Sequence, residues 1–325
     1  MSKLRKVVGS VVSLAFVGGL IALALNFQLL RDQLRVWQYQ PSSAIITLTD
    51  RASLSDRGKH YFYLAHPKLE GANEFNQECQ RAEPKSALLG CYKPSTETIH
   101  LYDVDDPALE GVEEVTAAHE MLHVAYSRLS AAEKKRLSPL LEAAYATVKD
   151  AKFEERMAYY ERAQPGSREN ELHSILATEF SALGDELEQY YARYFVDRSK
   201  IVAWHVRYHQ QFEENERQAD VITQRLETQK GQIDQAVEQY ERDMIMYNQE
   251  VEAFNGRAKR GEFSSQAAFS RERAALQSRG ERLSQRQRTI TSQVDAYNAD
   301  VERLNALGRA QQRLNNSLDS MKAVE

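Results

Sequence analysis

Cysteine is nearly absent from this chain: Cys79 and Cys91 are the only two in 325 residues. Their spacing matches no zinc-ligand pattern, which excludes a cysteine-built metal knuckle. Proline is sparse as well, seven in all with none in the carboxyl-terminal third, so nothing there interrupts a long helix. No excess of positive charge marks a nucleic-acid partner, because 42 lysines and arginines face 47 acidic residues for a net charge of −5. A long apolar run occurs at the amino terminus, where Val7 to Leu25 are 19 uncharged residues, just enough to span a hydrocarbon core as a helix. Lys3, Arg5 and Lys6 precede the run and favour an amino terminus held in the cytoplasm. Ala22-Leu23-Ala24 offers a signal-peptide cleavage site as the rival reading. Continuation of the apolar character into Phe27, Leu29 and Leu30 favours a retained single-pass membrane anchor over residues 1–30. Either reading puts the bulk of the chain outside the cytoplasm, where Cys79 and Cys91 are expected to close a short loop as a disulfide.

The chemistry concentrates in Thr116-Ala117-Ala118-His119-Glu120-Met121-Leu122-His123-Val124-Ala125. Residues four apart stack on one face of a helix, so His119 and His123 can reach one metal ion while Glu120 leaves at another angle. Small and apolar neighbours make Val115 to Leu129 read as a largely buried helix. Around it, residues 31–57 read as an entry helix and linker broken at Pro41, and the aromatic run Tyr61-Phe62-Tyr63-Leu64 reads as a strand. Leu88 to Tyr92 and Thr98 to Val104 are a second pair of strands, separated by the polar turn Lys93-Pro94-Ser95-Thr96. Ser130-Ala131-Ala132-Glu133 is a capping box that opens a helix running to about Asp150. Another helix spans about Phe153 to Arg162 and stops before Pro165-Gly166. A further one carries Asn170 to Glu179.

An HExxH helix with uncharged neighbours resembles the zincin metallopeptidases, and the resemblance covers roughly residues 58–198. It implies an α+β, mostly α fold with a small antiparallel sheet before the HExxH helix, a Zn2+ cofactor, and hydrolysis of a peptide or protein substrate. His119 and His123 would bind zinc, and Glu120 would act as general base and then general acid. By the same resemblance Ile99 to Tyr102 is the candidate strand that pairs with an extended substrate. His100 on that strand reads as a structural or solvent-facing residue rather than a ligand. A catalytic zinc needs a third protein ligand. Asn170-Glu171-x-x-Ser174 resembles the third-ligand motif of the gluzincins, and Ser174 and Thr178 are small enough to let this helix lie close to the first. Glu171 therefore ranks first. Glu179, a carboxylate on the apolar stripe Leu172, Leu176, Leu183 and Leu187, and His173 remain as alternatives. The chain departs from the gluzincin pattern at Ile175, where those enzymes carry an aspartate that orients a ligand histidine. Tyr159, Tyr160, Tyr190, Tyr191 and Tyr194 are all available as a transition-state donor, and the sequence does not choose among them.

From Ser199 the composition turns to Gln, Glu, Arg and Asn. Leu226, Ile233, Tyr240, Tyr247 and Phe254 recur every seven residues, and Phe269, Leu276, Leu283, Ile290, Tyr297 and Leu304 form a second heptad series. Lys259 to Ser264 separates them with Gly261. Residues 199–325 are thus expected to form a coiled-coil antiparallel hairpin, each arm on the order of 80 Å long. Arg279, Gly280 and Gln287 interrupt the second seam, which predicts looser pairing there. The arms carry no chemistry and suit a spacer, a lid, a docking arm for a protein partner, or self-association. The whole reads as a membrane-anchored, extracytoplasmic zinc metallopeptidase. The alternative is an envelope scaffold that binds a partner through the coiled coil, with a structural or inactive zinc site.

Overall fold

The computed structural model describes residues 26–81 and 88–323. The apolar run from Val7 to Leu25 lies outside the described residues, and among those described no helix is long and apolar enough to cross a membrane. The chain divides into two compact units, one reaching to Gln211 and taking in the end of the chain from Leu314, the other spanning Phe212–Arg313.

The first unit begins with helix α1 (residues 26–38), α2 (Ser43–Arg51) and α3 (Asp56–Leu64). Here the strand expected at Tyr61-Phe62-Tyr63-Leu64 is corrected: these residues are the last turn of α3. The Ser55 side chain accepts the Gly58 N–H and starts a helix that includes them. Four aromatic and apolar residues in a row fit either period, and the cap three residues upstream of Gly58 decides it.

Strands β1 (Lys68–Glu70), β2 (Gly90–Lys93) and β3 (Thr98–Tyr102) form one sheet in the order β1-β3-β2, with α4 (Ala72–Glu78) between the first two in sequence. The sheet is mixed rather than antiparallel, since β1 runs parallel to β3 while β2 is antiparallel to it. That order overturns the expectation for Ile99 to Tyr102. Both sides of β3 are paired, so it has no free edge for a substrate, and β1 and β2 are the edge strands instead. The misreading traces to β1, three residues with a single apolar side chain, too short to announce itself. The expected disulfide joins Cys79, at the end of α4, to Cys91 on β2.

Helix α5 (Val112–Ser127) carries the histidine pair. Its start is fixed by Gly111, whose φ of 104° lies in the left-handed region and whose Cβ position would stand 2.8 Å from the Trp204 ring. Arg51 stacks 4.5 Å from the same ring and pairs with the buried Glu114 one turn into α5. Then come α6 (Ala131–Val148), opened by the Ser130–Glu133 capping box, α7 (Ala151–Ala163), α8 (Arg168–Glu179) and the short α9 (Asp185–Tyr191). Helix α8 lies against α5, where Ser174 reaches His119, and both Ser174 and Thr178 are fully buried, as are the core residues Ala118, Met121, Leu122, Leu172 and Leu176. The last turns of the chain return to this unit, where Ser320 exchanges hydrogen bonds with Asn76 and Asp319 pairs with Arg81.

Helices α10 (Arg198–Arg260) and α11 (Gln266–Ser317) form the long antiparallel pair, turning at Gly261 with φ 68°. Phe254, Phe263 and Phe269 close the turn with ring centroids 5.2 Å apart. The interruptions of the second seam have a use: Gly280 makes room for the Tyr247 hydroxyl, 2.8 Å from where a Cβ would stand, and Arg279 pairs with Glu250.

Candidate metal centre

His119 and His123 emerge from successive turns of α5 with ring centroids 4.7 Å apart and planes at 86°. With Glu120 they form a cluster whose potential ligand atoms all lie within 4.8 Å of one another. Glu120 is 6% exposed, and burial pushes its carboxyl up to about 7. The charge of His123 pulls it down, Glu171 pushes it up, and the Tyr92 N–H donates to it. A buried carboxylate near neutrality is suited to taking and returning a proton.

Helix α8 brings Glu171 to the two histidines. Its Oε2 lies 3.7 Å from His119 Nε2 and its Oε1 3.8 Å from His123 Nε2. Burial opposes ionisation of Glu171, but contact with His119 and the charges of His123, His119 and Arg156 outweigh it, and the pKa falls below the ordinary value. Glu171 Oε2 is nonetheless buried without a hydrogen-bond partner, as is His123 Nδ1. The second orphan answers the departure at Ile175: among the described residues no carboxylate takes over the orienting role toward His123. Ser174 Oγ stands 3.3 Å from His119 Nε2.

The two rivals of Glu171 are engaged elsewhere. Glu179 receives Arg156 through both guanidinium ends, at 3.0 and 2.7 Å, and lies 3.5 Å from His205 Nε2. Arg156 is the partner that a carboxylate on an apolar stripe requires. His173 is fully buried among Tyr126, Tyr190, Tyr191 and Tyr194, with Nε2 3.0 Å from the Tyr190 hydroxyl. Burial, with help from the charges of His123, Arg193 and His119, pushes its pKa down to about 3, so it is a neutral core residue. His100 is likewise structural: it is buried and its Nδ1 meets both carboxylate oxygens of Glu70, at 3.1 and 2.9 Å.

Tyr190, Tyr191 and Tyr194 are therefore spent on packing around His173. Tyr160 differs. Burial raises its hydroxyl pKa, and the charges of Glu171, Glu179 and Glu120 push the same way against Arg156. Strand β2 borders the cluster from the other side. A Cβ on Gly90 would stand 2.6 Å from Thr116 Cγ2 and 2.9 Å from Glu120 Cγ. Reasoning from sequence missed Gly90, Arg156 and His205. The run Trp204-His205-Val206-Arg207-Tyr208-His209, aromatic and unlike the glutamine-rich heptads that follow, was the available signal for the last of these.

No protein-family model, curated protein or solved structure matches the chain. The site must speak through its own geometry.

Proposed function

We propose that this protein is a zinc-dependent metallopeptidase, with His119, His123 and Glu171 as ligands and Glu120 as general base and acid. One observation carries the reading: a buried carboxylate from a separate helix lies within 3.8 Å of Nε2 on both histidines, with one oxygen left without a partner. Donors about 2.0–2.1 Å from a tetrahedral zinc stand roughly 3.4 Å apart, close to that spacing. Two imidazoles and one carboxylate also match the donor set of catalytic zinc sites that keep a fourth position open. Zinc bound there supplies Lewis acidity, polarising a carbonyl and acidifying water.

The remaining steps belong to the chain. Glu120 takes the proton of the attacking water and delivers it to the leaving amine. Edge strand β2 runs beside the cluster and offers an extended peptide a backbone to pair with. Tyr160 is the candidate donor to the developing oxyanion. The disulfide fits an oxidising compartment, and the Val7–Leu25 run supplies a single membrane span with this unit outside the cytoplasm.

The test is metal analysis of the purified full chain beside cleavage of a peptide library. Wild-type protein should carry zinc and cut peptides. Glu120→Gln should retain the zinc and lose about 10²–10⁴-fold in rate, whereas Glu171→Ala should lose the metal. Cleavage indifferent to Glu120→Gln, or a wild-type chain that binds no zinc, refutes the proposal.

A further inference from the structure

Helix α1 is turned inside out for a surface helix. Phe27, Leu30, Leu34 and Trp37 are 63%, 52%, 49% and 80% exposed. At about 100° per residue they fall within an arc of roughly 80°, one continuous apolar stripe. Two of the three charged residues of the helix, Asp32 and Arg35, turn toward the protein, while Arg31 stays 45% exposed. Asp32 is 5% exposed and accepts Arg128 at 2.9 and 3.2 Å. Arg35 donates to the carbonyls of Leu64 and Glu97, and Arg31 pairs with the Glu97 carboxylate at 2.9 Å. Val36 and Tyr39 pack against the core on that same inner side. A soluble surface normally arranges these faces the other way.

The sequence says what covers the stripe. Its first member, Phe27, lies in the uncharged stretch that continues unbroken from Val7 to Leu30, so the apolar character of the amino-terminal run passes directly onto the outer face of α1. Trp37 ends the stripe, and tryptophan favours the boundary between headgroups and acyl chains. Asp32 and Arg35 are already held against Arg128 and Glu97, and Arg31, paired with Glu97 but 45% exposed, sits beside the stripe where its guanidinium stays among the headgroups when the outer face enters that boundary. We propose that the outer face of α1 lies flat in the interfacial layer of a lipid bilayer and holds the globular unit against the membrane. This inference does not depend on the hydrolase reading.

Geometry makes it testable. Seven residues separate Leu30, where the uncharged stretch ends, from Trp37, about 10 Å of helix, so a helix rising straight off the bilayer would carry Trp37 past the headgroup layer into water. Only a helix lying in the plane brings it to lipid. The full chain is reconstituted in phosphatidylcholine–phosphatidylglycerol vesicles, with Trp37→Phe as the reference. The sequence has two tryptophans, so the difference between the proteins is the Trp37 signal. Expected is quenching of that signal by lipids brominated near the headgroup, with protection from aqueous iodide. The double variant Leu30→Ser, Leu34→Ser, altered only at exposed positions, should cut the lipid quenching roughly twofold or more. Iodide quenching without lipid quenching places the stripe in water and overturns the proposal. Protection from both quenchers means that protein covers the stripe, this chain or another, and overturns it equally.

Discussion

The α5–α8 pair and the α10–α11 pair each bury a carboxylate between two helices, and they treat it in opposite ways. In the hairpin, Asp300 is 4% exposed and fully answered: Arg225 reaches it at 2.7 Å, Gln229 at 3.3 Å and Arg303 at 3.0 Å. On α8, Glu171 is 5% exposed, and its histidine neighbours stand 3.7 and 3.8 Å away, beyond hydrogen-bond reach, with Oε2 unpartnered. The hairpin does leave two side-chain groups unsatisfied, the amide oxygens of Gln229 and Gln293, but those are neutral. A buried ion without a partner costs far more than a buried amide. Asp300 reads as a register pin, closed on its own chain. Glu171 reads as one part of a site that something else completes.

The sharpest way to break that contrast is at Tyr160, which would be mere packing if the α5–α8 site did no chemistry. Tyr160→Phe removes one hydroxyl. Under the peptidase reading kcat falls about 10²–10³-fold while KM and zinc content hold. Unchanged kcat would return Tyr160 to the status of Tyr190 and Tyr191. A smaller loss is expected from Gly90→Ala. The added methyl enters space held by Thr116 and Glu120, so Glu120 must shift by a fraction of an ångström to about 1 Å. Displacement on that scale costs roughly 10–10²-fold in kcat. Zinc content should stay at the wild-type level, because neither histidine is touched. Loss of metal in this variant would mean that β2 supports the whole centre rather than Glu120 alone.

The two regions were also unequally legible in sequence. Heptads from Leu226 to Phe254 and from Phe269 to Leu304 state a period, and a period repeated over many turns admits one structure. His119, Glu120 and His123 are local as well, since one helix turn brings them together. The capping box at Ser130 and Glu133 stands where the pattern puts it. What could not be read is what depends on packing between distant segments. Nothing in Thr98 to Tyr102 says whether both of its sides are paired; that depends on the three residues of β1 arriving parallel to it. Glu179 and Glu171 look alike along α8 until Arg156, from α7, takes the first. Gly280 looked like a gap in the seam because its reason, Tyr247, lies on the other arm.

The smallest effect should come from the hairpin, and it sharpens the contrast from the other side. Asp300→Ala strands no buried cation, since the Arg225 and Arg303 side chains are 45% and 68% exposed and rehydrate readily. The cost is the lost charge-assisted bonds, about 1–3 kcal/mol. It should show as faster amide hydrogen exchange in α10 and α11 around residues 225 and 300, together with a lower denaturation midpoint for that unit. Zinc content and any cleavage dependent on Glu120 should not change, because Asp300 and its partners all lie within Phe212–Arg313. A variant that lost metal would show that the hairpin's register reaches the site, and the division between a closed carboxylate and an open one would have to be drawn elsewhere.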